Sequence, residues 1–348
     1  GDETSDSYDA CIHAGEMRVI EVSGKTSCTD LTATDSLGAF TWTCISGSPD
    51  VQFVSDGFND GMGLTDLIDF TGAAPAWKNL TVTVLDSGSE LLTASIDAWA
   101  DNTITVNNAG GSLATEGVIY AVTSDPATSY TIDADKVALV VEPGLTITGD
   151  ASTYSDISAD SRRFIWIEGS FDGSNNESGI LWTSTRYSVL RKVTISNAAG
   201  TATLSDAGLK LSISRFNIIE NVTTRDGMQI GFMLSSSHYN RIKKLTSIHN
   251  RDRGIVFNNS GYNRLLETKS VQNWGLGAYL YSTNSIYNKF DGLLVADNAG
   301  GFHNFSPGNN ILTGVVAAGN ADTGVSTLYP WSSFLTNITA VNNGNEGI

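Results

Sequence analysis

Residues 231–254 read GFMLSSSHYNRIKKLTSIHNRDRG, and residues 254–277 read GIVFNNSGYNRLLETKSVQNWGLG. Laid one on the other, they put glycine on glycine, Tyr239 on Tyr262, Asn240 on Asn263, Arg241 on Arg264 and Asn250 on Asn273. Beyond this stretch, the glycine recurs at Gly208, Gly231, Gly254, Gly277, Gly301, Gly324 and Gly347, in steps of 23, 23, 23, 24, 23 and 23 residues. A fixed period of this length marks a solenoid, in which each repeat is too small to bury its own apolar side chains and must stack on its neighbours.

The residues after each glycine set the kind of solenoid. Leu209-Lys210-Leu211, Phe232-Met233-Leu234, Ile255-Val256-Phe257 and Ala278-Tyr279-Leu280 have apolar first and third residues, the period of a strand. About nine residues further on lies an asparagine register, Asn217, Asn240, Asn263, Asn288 and Asn310, with Ser333 in the last copy. A third register, Asn250, Asn273, Asn298, Asn320 and Asn343, closes each copy. Two or three short strands per repeat with polar corners predict a right-handed parallel β-helix, an all-β fold of about 23 residues per coil. The corner asparagines are expected to hydrogen-bond up the stack.

The pattern Asn-x-Ile/Leu, then an apolar residue, Asn and Gly-apolar-x-apolar, resembles the β-helix repeat of the pectate-lyase-like superfamily. The resemblance implies the fold. It leaves function open, because that superfamily includes lyases, hydrolases, epimerases, phage tailspikes and non-enzymatic surface proteins.

Charge divides the chain. Residues 1–150 carry 23 acidic and 4 basic side chains, a net of −19, whereas residues 151–348 carry 14 and 16, a net of +2. Residues 1–116 are read as an acidic all-β N-terminal cap over the first open coil. Residues 117–348 are read as the β-helix, regular over 208–348 and cut from a longer protein at its C-terminal end. The cap holds all three cysteines, Cys11, Cys28 and Cys44, of which two can form a bridge in an oxidising compartment. The acidic half argues against nucleic acid as a partner. No apolar run is long enough for a membrane span. These features suit an extracellular or cell-surface protein. No cofactor is expected; calcium could be held loosely by the acidic half, but no motif calls for it. The last coil, begun at Gly347-Ile348, could join another copy.

Stacking turns the repeat into columns. Tyr239, Tyr262 and Tyr287 precede the corner asparagine, after Phe216, and Arg241, Arg264 and Lys289 come just behind it. One reading is a ligand-binding strip for an acidic polysaccharide or surface glycan, with ring faces for sugars and cations for carboxylates or sulfates. The other is a cover of stacked side chains over the corner.

An adhesin-like or glycan-binding module is the first function considered, a self-stacking filament subunit another. A polysaccharide lyase or glycoside hydrolase is the enzymatic alternative. A lyase needs a basic side chain and a cation to neutralise a uronate, and a hydrolase needs paired carboxylates. Arg225, Asp226, Lys243, Asp252 and Lys269 are the catalytic candidates. Asp206 and Asp252 share a column two coils apart, which also holds Asp322. The scattered histidines, His13, His238, His249 and His303, have no metal-ligand spacing.

Overall fold

The computed structural model describes residues 19–348 apart from 48–49, 97–102, 107–110, 125–127, 150–153, 174–177, 199–205, 228 and 329–332. From Thr103 onward the chain winds as a parallel β-helix whose coils have three sides.

Sheet A takes one strand from each coil, ten in all, from Gly111–Leu113 through Ala207–Ser212, Ile230–Ser235, Ile255–Asn258 and Leu276–Tyr281 to Val325–Thr327. Sheet B continues from it through Val118–Val122 and Ala138–Val141 to Arg241–Lys243, Arg264–Leu266 and Lys289–Asp291. Sheet C holds Thr246–Ile248, Lys269–Val271 and Leu294–Ala296. In three earlier coils one long strand runs through both B and C: Trp166–Asp172, Val189–Ser196 and Ile218–Arg225. Pairing is parallel and in register up the stack, as in Phe232↔Ile255↔Ala278↔Phe302↔Val325.

The predicted period is therefore the length of one turn, and the alternating trios face in and out. Leu209, Leu211, Phe232, Leu234, Ile255 and Phe257 point inward and are fully buried. Burying each such side chain contributes roughly 1.5–3 kcal/mol, which a single coil could not achieve alone. The recurring glycine has a packing reason. A Cβ on Gly254 would collide with Ser270 Oγ and lie 2.7 Å from Asn273 Nδ2.

Both asparagine registers are buried ladders. Asn263 Oδ1 accepts the Asn240 backbone N–H (2.9 Å) and Nδ2 (3.0 Å), and Asn263 Nδ2 donates to the Ser237 carbonyl (3.0 Å) and to Asn288 Oδ1 (3.1 Å). Asn250, Asn273, Asn298, Asn320 and Asn343 repeat the scheme at the bend from sheet C to sheet A. Buried backbone groups at the bends, which no strand pairing reaches, are satisfied in this way. A serine ladder, Ser214, Ser237, Ser260 and Ser285, runs beside the first.

Before the helix, two three-stranded antiparallel sheets are built on Val19–Val22, Phe40–Ile45 and Val51–Phe58, and on Leu31–Asp35, Leu80–Asp86 and Ser89–Ile96, beside a two-stranded one of Ile68–Asp69 and Ala76–Trp77. Cys28 and Cys44 form the disulfide; Cys11 lies outside the described residues. Phe40, Leu64, Leu67, Ile68 and Leu80 pack on Ile119, Ala138, Val140, Trp166 and Val189, which point outward from sheet B. The described N-terminal residues thus cover a flank of several coils. Strand Thr103–Val106 already pairs in parallel with Val118–Val122, ahead of the boundary expected at residue 117.

Candidate functional site

The corner between sheets A and B carries a longer aromatic column than the four rings read from the repeat. Phe164, Tyr187, Phe216, Tyr239, Tyr262 and Tyr287 stack with successive ring centroids 5.7, 5.5, 5.3, 4.9 and 5.1 Å apart and interplanar angles of 11–20°. All six have φ between 55° and 60°, a left-handed conformation that bulky residues rarely adopt. From Phe216 onward the next residue is a buried asparagine, Asn217, Asn240, Asn263 or Asn288, which holds the sharp turn by donating to a carbonyl of the coil before. The ring is thereby turned outward.

This geometry corrects one expectation. A sugar ring slipped between two aromatic rings needs about 7 Å, two carbon contacts of about 3.5 Å. The stack is too tight for that, so the inner rings give their faces to one another. What they offer a ligand is their edges and the tyrosine hydroxyls; Tyr239, Tyr262 and Tyr287 are 47%, 44% and 48% exposed.

Cations flank the rings on both sides. Arg241, Arg264 and Lys289 pair in register on sheet B, as predicted. Among the described residues Arg241 and Arg264 have no acidic partner within ion-pair distance, and Lys289 has Asp291 at 4.0 Å. On the sheet A side, Arg163, Arg186, Arg215 and His238 form a second column, joined by isolated parallel bridges. Burial and the charge of Arg215 hold His238 below its ordinary pKa, and its Nδ1 accepts the Gly261 N–H at 3.0 Å. Neutral histidine is the form that fits this acceptor role.

A second group of chemically capable side chains lies on the outer face of sheet A. The Arg253 guanidinium sits 4.9 Å from the Tyr279 ring centroid and 3.3 Å from Asp252. Tyr279 pairs in register with His303 on the next coil, and Phe305 meets the Tyr279 ring edge-on at 5.6 Å. Burial pushes the Tyr279 phenol up and the His303 imidazole down in pKa. His303 Nε2 and Arg253 Nε are buried and lack a hydrogen-bond partner among the described residues. Of this group only Asp252 was among the sequence-derived catalytic candidates. Tyr279 and His303 share a column, but its earlier members Met233 and Val256 are apolar and Arg253 lies outside it, so the period alone does not single the group out.

The five catalytic candidates are spread over different sides of the helix. Arg225 lies 3.8 Å from Asp226, which in turn lies 3.5 Å from His249, at the bend from sheet C to sheet A. Lys269 is exposed at the start of a sheet C strand. Asp206 is buried and accepts the Tyr154 hydroxyl at 2.8 Å.

Lys243 faces the N-terminal unit, 3.4 Å from Glu220 and 3.6 Å from Asp60. It belongs to a junction that also holds Arg191, paired with Glu220, and Lys192, 2.7 Å from Asp66. Lys244 completes the network by binding Asp60. At the centre of the junction the fully buried Glu168 accepts the Leu64 N–H (2.7 Å), the Thr65 N–H (3.0 Å) and hydroxyl (2.9 Å), and the Trp166 indole N–H (2.7 Å). Burial pushes its carboxyl up while these donors pull it back. Glu168 is a buried strand residue that fastens the N-terminal unit.

Fold and corner together define a three-sided parallel β-helix with a cationic, tyrosine-lined edge. The chain belongs to the NosD family, whose model, described as "Periplasmic copper-binding protein (NosD)", matches residues 78–292. No curated protein matches the sequence. Among solved structures, a mutant of the periplasmic alginate epimerase AlgG has a TM-score of 0.50 at 13% identity, over 64% of this chain and 60% of that one. The chain thus spans about 60% of the length of that epimerase. The enzymatically active domain of bacteriophage CBA120 tailspike protein 2 is 14% identical, with a TM-score of 0.43, over 68% of this chain and 38% of that one. The A-module of the Azotobacter vinelandii mannuronan C-5 epimerase AlgE4 is 13% identical, with a TM-score of 0.36, over 70% and 86%.

The described residues do not fit a copper ion. No three His, Cys, Asp or Glu side chains among them converge on a common point. Copper favours thiolate, thioether and imidazole donors. Here both described cysteines are in the disulfide, His238 and His249 are engaged at separate bends, Met233 is buried on sheet A, and His303, whose Nε2 is unpartnered, is not joined by two further His, Cys, Asp or Glu ligands.

Proposed function

We propose that this protein is a periplasmic or otherwise exported β-helix module that binds an acidic glycan along its tyrosine and arginine corner. The observation that carries the reading is the run of cations, half-buried at Arg241 and Lys289 and exposed at Arg264, beside the aromatic column. Like charges stacked one strand spacing apart repel, and a carboxylated or sulfated chain lying along the axis would neutralise them. Arginine suits that task because its planar fork can meet a carboxylate with two hydrogen bonds. The family's description as periplasmic and the Cys28–Cys44 bridge both support a location outside the cytoplasm. No step through copper is proposed.

The test is binding and turnover on a glycan array that sets polygalacturonate, alginate and sulfated glycans beside neutral polymers, with Arg241→Ala/Arg264→Ala as control. Acid-selective binding that the double variant weakens supports the reading. Binding that ignores charge, or that the double variant leaves at wild-type strength, overturns it.

A second reading has its own observation, the grouping of Arg253, Tyr279, His303 and Asp252 on sheet A. A neutral imidazole and a phenol beside a guanidinium are the kind of groups that can move a proton next to a bound carboxylate. Release of unsaturated products or new reducing ends on the same array would make the protein an enzyme. Loss of that release in His303→Ala, with binding kept, would assign the chemistry to sheet A.

A further inference from the structure

Taken coil by coil, the corner holds one fixed cation on each of six successive turns, and the cation changes sides halfway. In the coils of Phe164, Tyr187 and Phe216 it is Arg163, Arg186 and Arg215, on the sheet A side of the ring. In these coils the opposite position is apolar, Trp166, Val189 and Ile218, and packs against the N-terminal unit. In the coils of Tyr239, Tyr262 and Tyr287 the sheet B position is no longer apolar and becomes Arg241, Arg264 and Lys289. The sheet A position then becomes His238, Gly261 and Ile286. Where the cover ends, the charge crosses the aromatic column.

We infer that Arg163, Arg186 and Arg215 form a second cationic half-site, and that the two half-sites together take one linear polyanion bearing a negative group on each repeating unit. The inference rests on the acidic-glycan reading above and extends it from three coils to six. Packing does not account for the first column. Its three arginines are exposed, and among the described residues none lies within ion-pair distance of an acid. Asp135, at the head of the column, accepts the Arg163 backbone N–H at 2.9 Å, and the neighbouring Arg162 lies 3.7 Å from Asp133. Stacked strands are about 4.8 Å apart, so the charges rise in even steps along the axis. A chain with regularly spaced anionic groups matches that spacing; an isolated anion would use one step of it. The neutral His238 sits at the crossing and leaves the charge of that coil to Arg241.

The test measures binding of the full chain to galacturonate oligomers of three and six units, with neutral xylo-oligomers of the same lengths as controls. The variants are Arg163→Ala/Arg186→Ala/Arg215→Ala and Arg241→Ala/Arg264→Ala/Lys289→Ala, each checked for wild-type circular dichroism and melting. Joining two half-sites on one ligand raises affinity without new contacts, so the hexamer should bind the wild type at least about tenfold more tightly than the trimer. Either triple variant should lower hexamer affinity to about the trimer level, while changing trimer affinity by no more than about twofold. If the Arg163, Arg186 and Arg215 variant binds hexamer as the wild type does, while the other variant loses binding, the second half-site is refuted and the glycan reading stands. If the wild type binds neither oligomer, both fail.

Discussion

Replacing Asn263 by alanine tests whether the asparagine ladder, and not apolar packing alone, holds the coils in register. Asn263 lies in the middle of the ladder and is 1% exposed. Removing its amide takes the acceptor from the Asn240 backbone N–H, and a donor from the carbonyls of Ser237 and Gly261 and from Asn288 Oδ1. A buried donor or acceptor left unpaired costs about 1–3 kcal/mol. The Asn240 amide proton has no other acceptor among the described residues, whereas its side chain keeps the Ser214 carbonyl. One orphaned donor and three weakened acceptors together give a loss of about 4 kcal/mol. Urea unfolding followed by circular dichroism measures the total, and hydrogen exchange shows whether protection falls first at Asn240 and on the coils either side. Asn345→Ala, on the exposed last turn, is the control and should change stability by less than about 0.5 kcal/mol. An Asn263→Ala protein as stable as that control would mean that apolar packing alone sets the register.

Three further outcomes rest on the same geometry. Burial opposes ionisation of Glu220, but Arg191 and Lys243 more than compensate and hold its carboxyl below the usual value. A lowered folded value stabilises the protein above the ordinary glutamate pKa, and that contribution is lost as pH falls through the lower one. Hydrogen exchange at Leu64–Leu67 should therefore speed up below about pH 4, and Glu220→Gln should flatten that dependence; an unchanged acid limb would rule out Glu220 as its source. Gly254→Ala should destabilise strongly, because its Cβ meets Ser270 Oγ, Asn273 Nδ2 and the Gly277 carbonyl, and Ser270→Ala should recover only part of the loss in urea unfolding. Reducing Cys28–Cys44, whose sequence separation is 16, should cost the N-terminal sheets about 3 kcal/mol, seen as faster exchange there and unchanged exchange in the later coils.

The coils from Gly208 onward were legible because each residue that closes a turn must repeat at the same place in the next one. The glycine avoids a clash with the neighbouring coil and the asparagines pair with their own kind, so both leave a period. The earlier half of the aromatic column was missed for a physical reason. Arg186-Tyr187 and Arg215-Phe216 occupy the same corner, but 29 residues separate the two aromatics because the intervening coil is longer, and a period of 23 passes over them. A search for the repeated Arg-aromatic pair, indifferent to spacing, would have found them. The junction was illegible for a different cause. Most of the donors that allow Glu168 to be buried come from Leu64 and Thr65, about a hundred positions away. Lys243 was offered to catalysis on its charge, and that charge is taken up by Asp60 and Glu220 from elements no repeat connects. The sheet A group of Arg253, Tyr279 and His303 arises from single departures from the repeat, visible only when coils are stacked.

Recognition of regularly spaced negative charge by the corner is tested most directly by calorimetric titration of the full chain with a galacturonate hexamer. The titration is run at about 50 mM and about 200 mM salt, beside a neutral hexamer of equal length. Affinity should fall as salt rises, Arg241→Ala/Arg264→Ala should weaken binding and reduce the salt dependence, and the neutral hexamer should not bind. Equal binding of the neutral chain, or an affinity indifferent to salt, would show that the corner does not read charge.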